Sequence, residues 1–488
     1  MKTKINTILR IAVLSMVALT SAHAQRVWIN ASGGTFVGPA SNWASNTIPN
    51  SFDPFIFDAT GAPATYTVTL DADYSFTTLG NQAGDSVTVD LNGNILNFSS
   101  ANSVRSIGTL NFQNGTLTTL AVTFGREGIA TSTLTGVTAN VTAFSVGVTG
   151  VTNVDSSNSL VTLNGSTKVT ATNTTTIGGA GSTGSTSANS KLLVTGGNTT
   201  FTGAEVRVGT TTNSTGNTLE VASGGALTGT NLFVGSFHSG GGSYSAGGNT
   251  VLIHGSNSTA TLTGAISVGA ANIATTVNNS LVVQNNGEFA TSGSLVINGT
   301  SDNTTNRVVV ESGGSVILNK TSNTVNFGFM EVNGGTLDAK GLTLANQGRL
   351  NFLDGTIAID GNLSTSATGG GRFGFDLTGD DPITFTGIGI INGTLAIGST
   401  ANSNFIDIFG VTGLGNYTLF TSTGNMDANV ATRLALGNTP IGFEGSLVYN
   451  PNSIVLNVGA IPEPNTAVLL AAGLMVLVMR ARRRGVRA

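Results

Sequence analysis

Between residues 160 and 311 one two-strand pattern recurs. It is seen in "KLLVTGGNTTFTGAEVRVGT" from Lys191, "TLEVASGGALTGTNLFVGS" from Thr218, "TVLIHGSNSTATLTGAISVGA" from Thr250 and "SLVVQNNGEFATSGSLVINGT" from Ser280. The last apolar residues of the first strands are Leu163, Val194, Val221, Ile253, Val283 and Val310, and the spacing between successive members varies. The second strand opens at Val206, Leu232, Ile266 and Leu295, and its offset from the first is nearly constant. A tight interval inside a loose one means a fixed two-strand unit joined by a variable loop. The longest such loop, "SFHSGGGSYSAGGN", lies between Gly235 and Thr250. A unit this small cannot bury a core alone, whereas stacked coils can, and this predicts an all-β, right-handed parallel β-helix. Alternation puts Leu192 and Val194, then Val206 and Val208, on the inward face. Glycine supplies the φ > 0 corners. Asparagine tolerates the same corners and can form ladders between coils. No helical periodicity is sustained before the C-terminal tail.

Weaker units, "AVTFGREG", "AFSVGVTG" and "MEVNGGTLDAKGLTLANQGRLNFLDGTIAIDGNL", extend the array, so the β-helix repeats are placed at 116–379. Residues 25–115 read as an N-terminal β cap region and 380–460 as a C-terminal β region. In the latter, "NYTLFTSTG" and "GFEGSLVYNPNSIVLNVGA" predict an antiparallel hairpin turning at Asn450-Pro451. Both tryptophans lie in the first of these regions, in "VWINASGGTFVGPASNWASNTIPN". Trp28, Gly33, Gly34, Asn42, Trp43 and Pro49 resemble the opening of autotransporter-associated β-strand repeat proteins, as do "TVTLDADYSFTTLG" and "VTVDLNGNILNF". The Trp pair reads as a hydrophobic cap on the first coil, with a sugar platform as the competing use.

The two ends carry a different kind of information. Residues 1–24 combine a basic start (Lys2, Lys4, Arg10), an apolar run and Ala22-His23-Ala24, so a signal peptide cleaved after Ala24 is expected, with export through the Sec machinery. At the other end, Pro462 and Pro464 flank Glu463 and break regular structure. An uncharged run from Thr466 to Met479 favours helix. Its length of about 21 Å is short against a hydrocarbon core of about 30 Å. Arg480, Arg482, Arg483, Arg484 and Arg487 would hold that end on the cytoplasmic side. Residues 461–488 resemble the PEP-CTERM sorting signal of Gram-negative bacteria. That resemblance implies a substrate of an exosortase, a membrane-embedded transpeptidase-like protease. The protein would be tethered to the inner membrane by its C-terminal hydrophobic helix, then processed and sent to the outer surface or an extracellular biofilm matrix.

Trimmed of both ends, the body keeps 12 of the 20 Lys and Arg and 23 of the 24 Asp and Glu, a net charge of about −11. Nucleic acid needs clustered positive charge, so it is not an expected partner. Without cysteine there is no thiolate metal site, catalytic cysteine or redox pair. His238, in the long loop, and His254, at a corner, have no metal-ligand spacing. "GGAGST" from Gly178 lacks the aspartate of a calcium nonapeptide, with Thr183 in its place. Asp71/Asp73 and Asp380/Asp381 are close pairs that read as turn residues, with a weak calcium site as the other option. A glycosidase needs two converging carboxylates, but Glu205, Glu220, Glu288 and Glu311 sit at differing offsets and are not expected to form a column with neighbouring Arg or Lys. No catalytic residue, cofactor or metal site is therefore assigned. The expected function is a structural or adhesive surface β-solenoid whose polar faces meet exopolysaccharide. The alternative is a secreted carbohydrate-active β-helix enzyme, a polysaccharide lyase or hydrolase.

Overall fold

The computed structural model describes residues 474–476 and 25–459, the latter apart from 52, 60–62, 82–83, 102–103, 127, 150–154, 181–184, 210–212, 236–245, 271–276, 300–304, 368, 379, 381–389, 399–402, 425 and 428. The expected signal peptide with Ala22 and Ala24 therefore lies outside the described residues, as do Pro462, Glu463, Pro464, Arg480, Arg482, Arg483, Arg484, Arg487, His238 and Asp381. Leu474, Met475 and Val476 are helical and exposed. No helix among the described residues is long and apolar enough to cross a membrane.

The strands follow the alternation read from the sequence. In Lys191–Thr195 the side chains of Leu192 and Val194 are buried, and in Thr200–Val208 those of Phe201, Val206 and Val208 are. Each strand pairs in parallel with its counterpart one coil away, the arrangement of a β-solenoid. Parallel strands buried behind one face fix register strongly, because a one-residue slip would turn every apolar side chain to solvent. The inward column of the first strand runs Val68, Val89, Phe112, Leu134, Leu163, Val194, Val221, Ile253, Val283, Val310, Val332, Phe352, Phe375 and Ile408, each paired with the next. All are buried. The six positions read as equivalent in the repeat are consecutive members of this column. Val206, Leu232, Ile266 and Leu295 likewise pair in succession.

The stack is longer than the repeat spacing placed it. Residues 25–115 are not a separate cap in topology: Arg26–Trp28, Pro54–Phe57, Thr78–Asn81 and Val104–Ser106 pair successively in parallel. The reason is a change of period. Column members lie closer together in sequence from Val68 to Leu134 and from Val310 to Phe375 than they do between Leu134 and Val310. The central coils add an excursion, such as residues 209–217, before the next first strand begins at Thr218. In the short coils the chain passes almost directly from Val104–Ser106 to Thr109–Phe124. Corners use asparagine heavily: 12 of the 17 described non-glycine residues with positive φ are Asn, which fits its tolerance of that region.

At the lower end Trp28 and Trp43 meet edge to face at 5.1 Å, and Phe36 packs on Trp43 and Phe55 at 5.1 and 5.4 Å. Both indoles are fully buried, so they floor the first coils and leave no open face for a sugar. At the upper end the parallel order persists through Asn404–Val411 and Leu434–Leu436. It then gives way to the expected antiparallel hairpin, Gly445–Asn450 with Ser453–Val458, but the turn is Pro451-Asn452, one residue later than Asn450-Pro451, because Asn450 still pairs with Ser453. The second hairpin strand also pairs antiparallel with Gly415–Ser422, which occupies backbone groups that would otherwise form an open sheet edge.

Candidate functional site

The most ordered polar feature is internal. Where each excursion returns to the stack stands Asn217, Asn249, Asn279 or Asn306, all fully buried. The side-chain amides of Asn217, Asn249 and Asn279 donate to Oδ1 of the next Asn at 3.1, 3.0 and 3.0 Å. That same Oδ1 also accepts the preceding Asn's backbone N–H, at 3.0, 3.2 and 3.0 Å. Ser190 extends the ladder downward by donating its N–H to Asn217 Oδ1 at 3.0 Å. Buried amides must find partners, and here each satisfies the backbone of its neighbour. The ladder pins the coils together and offers nothing to a ligand.

Several outward charges pair across coils. Glu220 accepts from Lys191 one coil below and lies 3.1 Å from His254 Nε2 one coil above. This corrects two sequence readings: Glu220 does have a lysine neighbour, and His254 ends the strand Thr250–His254 rather than occupying a corner. The offsets hid the contact because it is diagonal, Glu220 pairing with Leu193 and Leu252. Burial acts to raise the Glu220 carboxyl, but the hydrogen bonds and charges of Lys191 and His254 outweigh it and hold it below its ordinary value. A depressed folded-state pKa gives stability that is present above the unfolded value, near 4.3, and lost as pH falls through the folded value. Glu220→Gln should therefore cost no more than about 1 kcal/mol near pH 7, since the pair is partly solvated. The cost should shrink as pH falls through the folded-state value, which urea titrations of both chains near neutrality and in acid will show.

Two other pairs differ in reach, the first local and the second across coils. Glu205 binds Arg207 on the same strand, and Arg372 holds Asp407 through two hydrogen bonds. Asp71 accepts the Tyr74 hydroxyl at 2.7 Å within its turn, and Asp73 accepts the Ile95 N–H of the next coil at 2.8 Å, so both are used structurally. Asp380 behaves differently. Burial raises its carboxyl, and the charges of Asp354 and Asp376 raise it further. Neither of these carboxylates adjoins Asp380 in sequence, and pairing Asp380 with Asp381 missed them both. Among the described residues no group of three or more His, Asp or Glu is placed to hold a metal ion.

One outward column was not read from the sequence at all. Arg307, Phe329, Arg349, Arg372 and Phe405 occupy equivalent positions on successive coils. Arg349 lies over the Phe329 ring at 5.4 Å, and Arg372 over Phe405 at 4.8 Å. Their separations in sequence are long and unequal, so they carry no local motif. Only the alignment of first strands, extended past Val310, would have exposed the column. No protein-family model matches the chain, and no curated protein matches it.

Proposed function

We propose that the chain is an exported structural and adhesive protein of the Gram-negative cell surface or biofilm matrix, built as a right-handed β-helix. The observation that carries this reading is the long parallel stack from Arg26 to Leu436, floored by an aromatic cluster and closed by a hairpin. Such a quasi-one-dimensional body presents long polar faces. An acidic surface suits solubility outside the cell. The basic start, apolar run and Ala22-His23-Ala24 of residues 1–24 favour export through the Sec machinery, and the Pro462-Glu463-Pro464 break, apolar run and arginine cluster favour an exosortase, with a transient inner-membrane tether. Nucleic acid is not a partner in this reading.

The test is mass spectrometry of the protein from its native host. Surface material should lack residues beyond the Pro-Glu-Pro region and begin at Gln25. Arg480, Arg482, Arg483, Arg484 and Arg487 changed together to Ser should impair retention before processing. Surface material still ending at Ala488 would overturn the sorting reading. The carbohydrate-active alternative has one observation in its favour, the raised Asp380 beside Asp354 and Asp376, since environments that separate carboxyl pKa values mark acid–base sites. Release of reducing ends from a matrix glycan, abolished by Asp380→Asn, would put the enzyme reading in place of the structural one.

A further inference from the structure

We propose that Arg307, Phe329, Glu331 and Asn351 form a binding site for a sugar residue of a neutral glycan, held through adjacent hydroxyls. This deepens the adhesive part of the proposal above and rests on it for the source of the ligand. The register brings the four together: Arg307 pairs with Phe329, and Glu331 with Asn351 on the following coil. With Asn278 and Thr305 they line a pocket of about 410 Å³, within the size range of small-ligand sites. Thr305 donates to Asn278 and so joins two excursions into one wall.

Three polar groups there lack protein partners among the described residues. Asn351 is 7% exposed, and its Oδ1 is buried without a hydrogen bond. Such a group is costly to leave unmade. Arg307 and Glu331 make no ion pair with any described residue, whereas Glu220, Glu205 and Asp407 all do. Two adjacent hydroxyls answer all three, because each accepts from a guanidinium and donates its one hydrogen either to the carboxylate or to the amide oxygen. Bonds to the two charged groups are the stronger kind. Even with the Asn351 amide turned over, a hydroxyl would still meet the atom it presents. Phe329, its ring held by Arg349, supplies an apolar wall for the C–H face of a pyranose.

The charges decide between glycan classes. The pocket lining holds one cation and one anion, with the Arg349 guanidinium engaged on the Phe329 ring beside it, so a uronate carboxylate drawn to Arg307 would also meet Glu331. A neutral residue with two neighbouring hydroxyls uses both without repulsion. Above the site, Asn351 pairs with Gly374, where a Cβ would lie 2.5 Å from Asn351 Oδ1. The same Cβ would lie 2.5 Å from the Phe409 ring, so a side chain there would displace the Asn351 amide, the Phe409 ring or both.

The experiment is calorimetric titration of the full chain with cellopentaose, maltopentaose, laminaripentaose and mannopentaose, with pentagalacturonate as the acidic probe. At least one neutral oligosaccharide should bind saturably. Arg307→Ser and Glu331→Gln should each weaken it about tenfold or more, with unchanged melting temperature because both side chains are at the surface. Neutral binding that survives both substitutions, or saturable binding of pentagalacturonate alone, would overturn the site. Retained binding of polysaccharide purified from the host matrix by both variants would remove this site while leaving adhesion in place. Binding of no glycan by the unmodified chain would remove both.

Discussion

Replacing Val221 by Asp is expected to cost about 5 kcal/mol or more near pH 7 and to open the centre of the stack. Val221 is fully buried and lies between Val194 and Ile253 in the inward column. A fully buried carboxyl has its pKa raised by about 3 to 5 units, at about 1.4 kcal/mol per unit. Lost apolar burial adds about 1.5 to 3 kcal/mol. The pKa shift is opposite in sign to that of Glu220, yet both substitutions cost least in acid, because Glu220→Gln removes a favourable charge and Val221→Asp introduces an unfavourable one. A raised folded-state pKa means that the deficit is least below the unfolded value, near 3.9, and grows as pH rises. Glu220, one residue earlier, faces outward, so its substitution is the control for register. Because each coil touches only its neighbours, the loss should be local first. Hydrogen exchange should accelerate in Lys191–Thr195, Thr218–Ala222 and Thr250–His254 before it does in the terminal coils. Unchanged stability would mean that the inward register is wrong.

The same column shows what the sequence could disclose. Its central members were readable because apolar alternation, a glycine corner and a nearly fixed offset between the two strands recur together. The flanking coils were misplaced because they drop the excursion and shorten the period, while the inward pattern continues unchanged through Val89, Phe112, Phe352 and Phe375. The Trp pair was legible as a cap because two large apolar groups at one end of a stack have an open coil to cover. The site was far less legible. Lys191 and His254 are each a full coil away from Glu220 along the chain, and their contact depends on a diagonal across three coils. The pocket around Asn351 depends on where loops from two different excursions meet, at Asn278 and Thr305. Neither is encoded in local spacing. Both follow once the coils are in register.

The asparagine ladder gives the second large effect. Asn249→Ala removes an oxygen that accepts from Asn217 N–H at 3.0 Å and Asn217 Nδ2 at 3.1 Å. It also removes an amide that donates to Ser214 O at 3.1 Å and Asn279 Oδ1 at 3.0 Å. Asn217 Nδ2 keeps partners in Ser187 O and Ser214 Oγ, so its loss is partial. The Asn217 N–H and the Ser214 carbonyl lose their bonds in a fully buried place. At about 1 to 3 kcal/mol for each orphaned group, the expected cost is about 3 to 5 kcal/mol, measured by urea unfolding. Gly209 tests the same contact from the other side. Its φ is +62°, and a Cβ there would lie 2.0 Å from Asn249 Cγ. Gly209→Ala alone should therefore be at least as damaging as Asn249→Ala. In the double variant the collision disappears and only the strain of a left-handed alanine remains, about 1 to 2 kcal/mol. The two costs should then fall short of additivity by about 1 kcal/mol or more. Additive costs would mean that Gly209 is there for its φ alone, and that the ladder does not set how closely the coils approach.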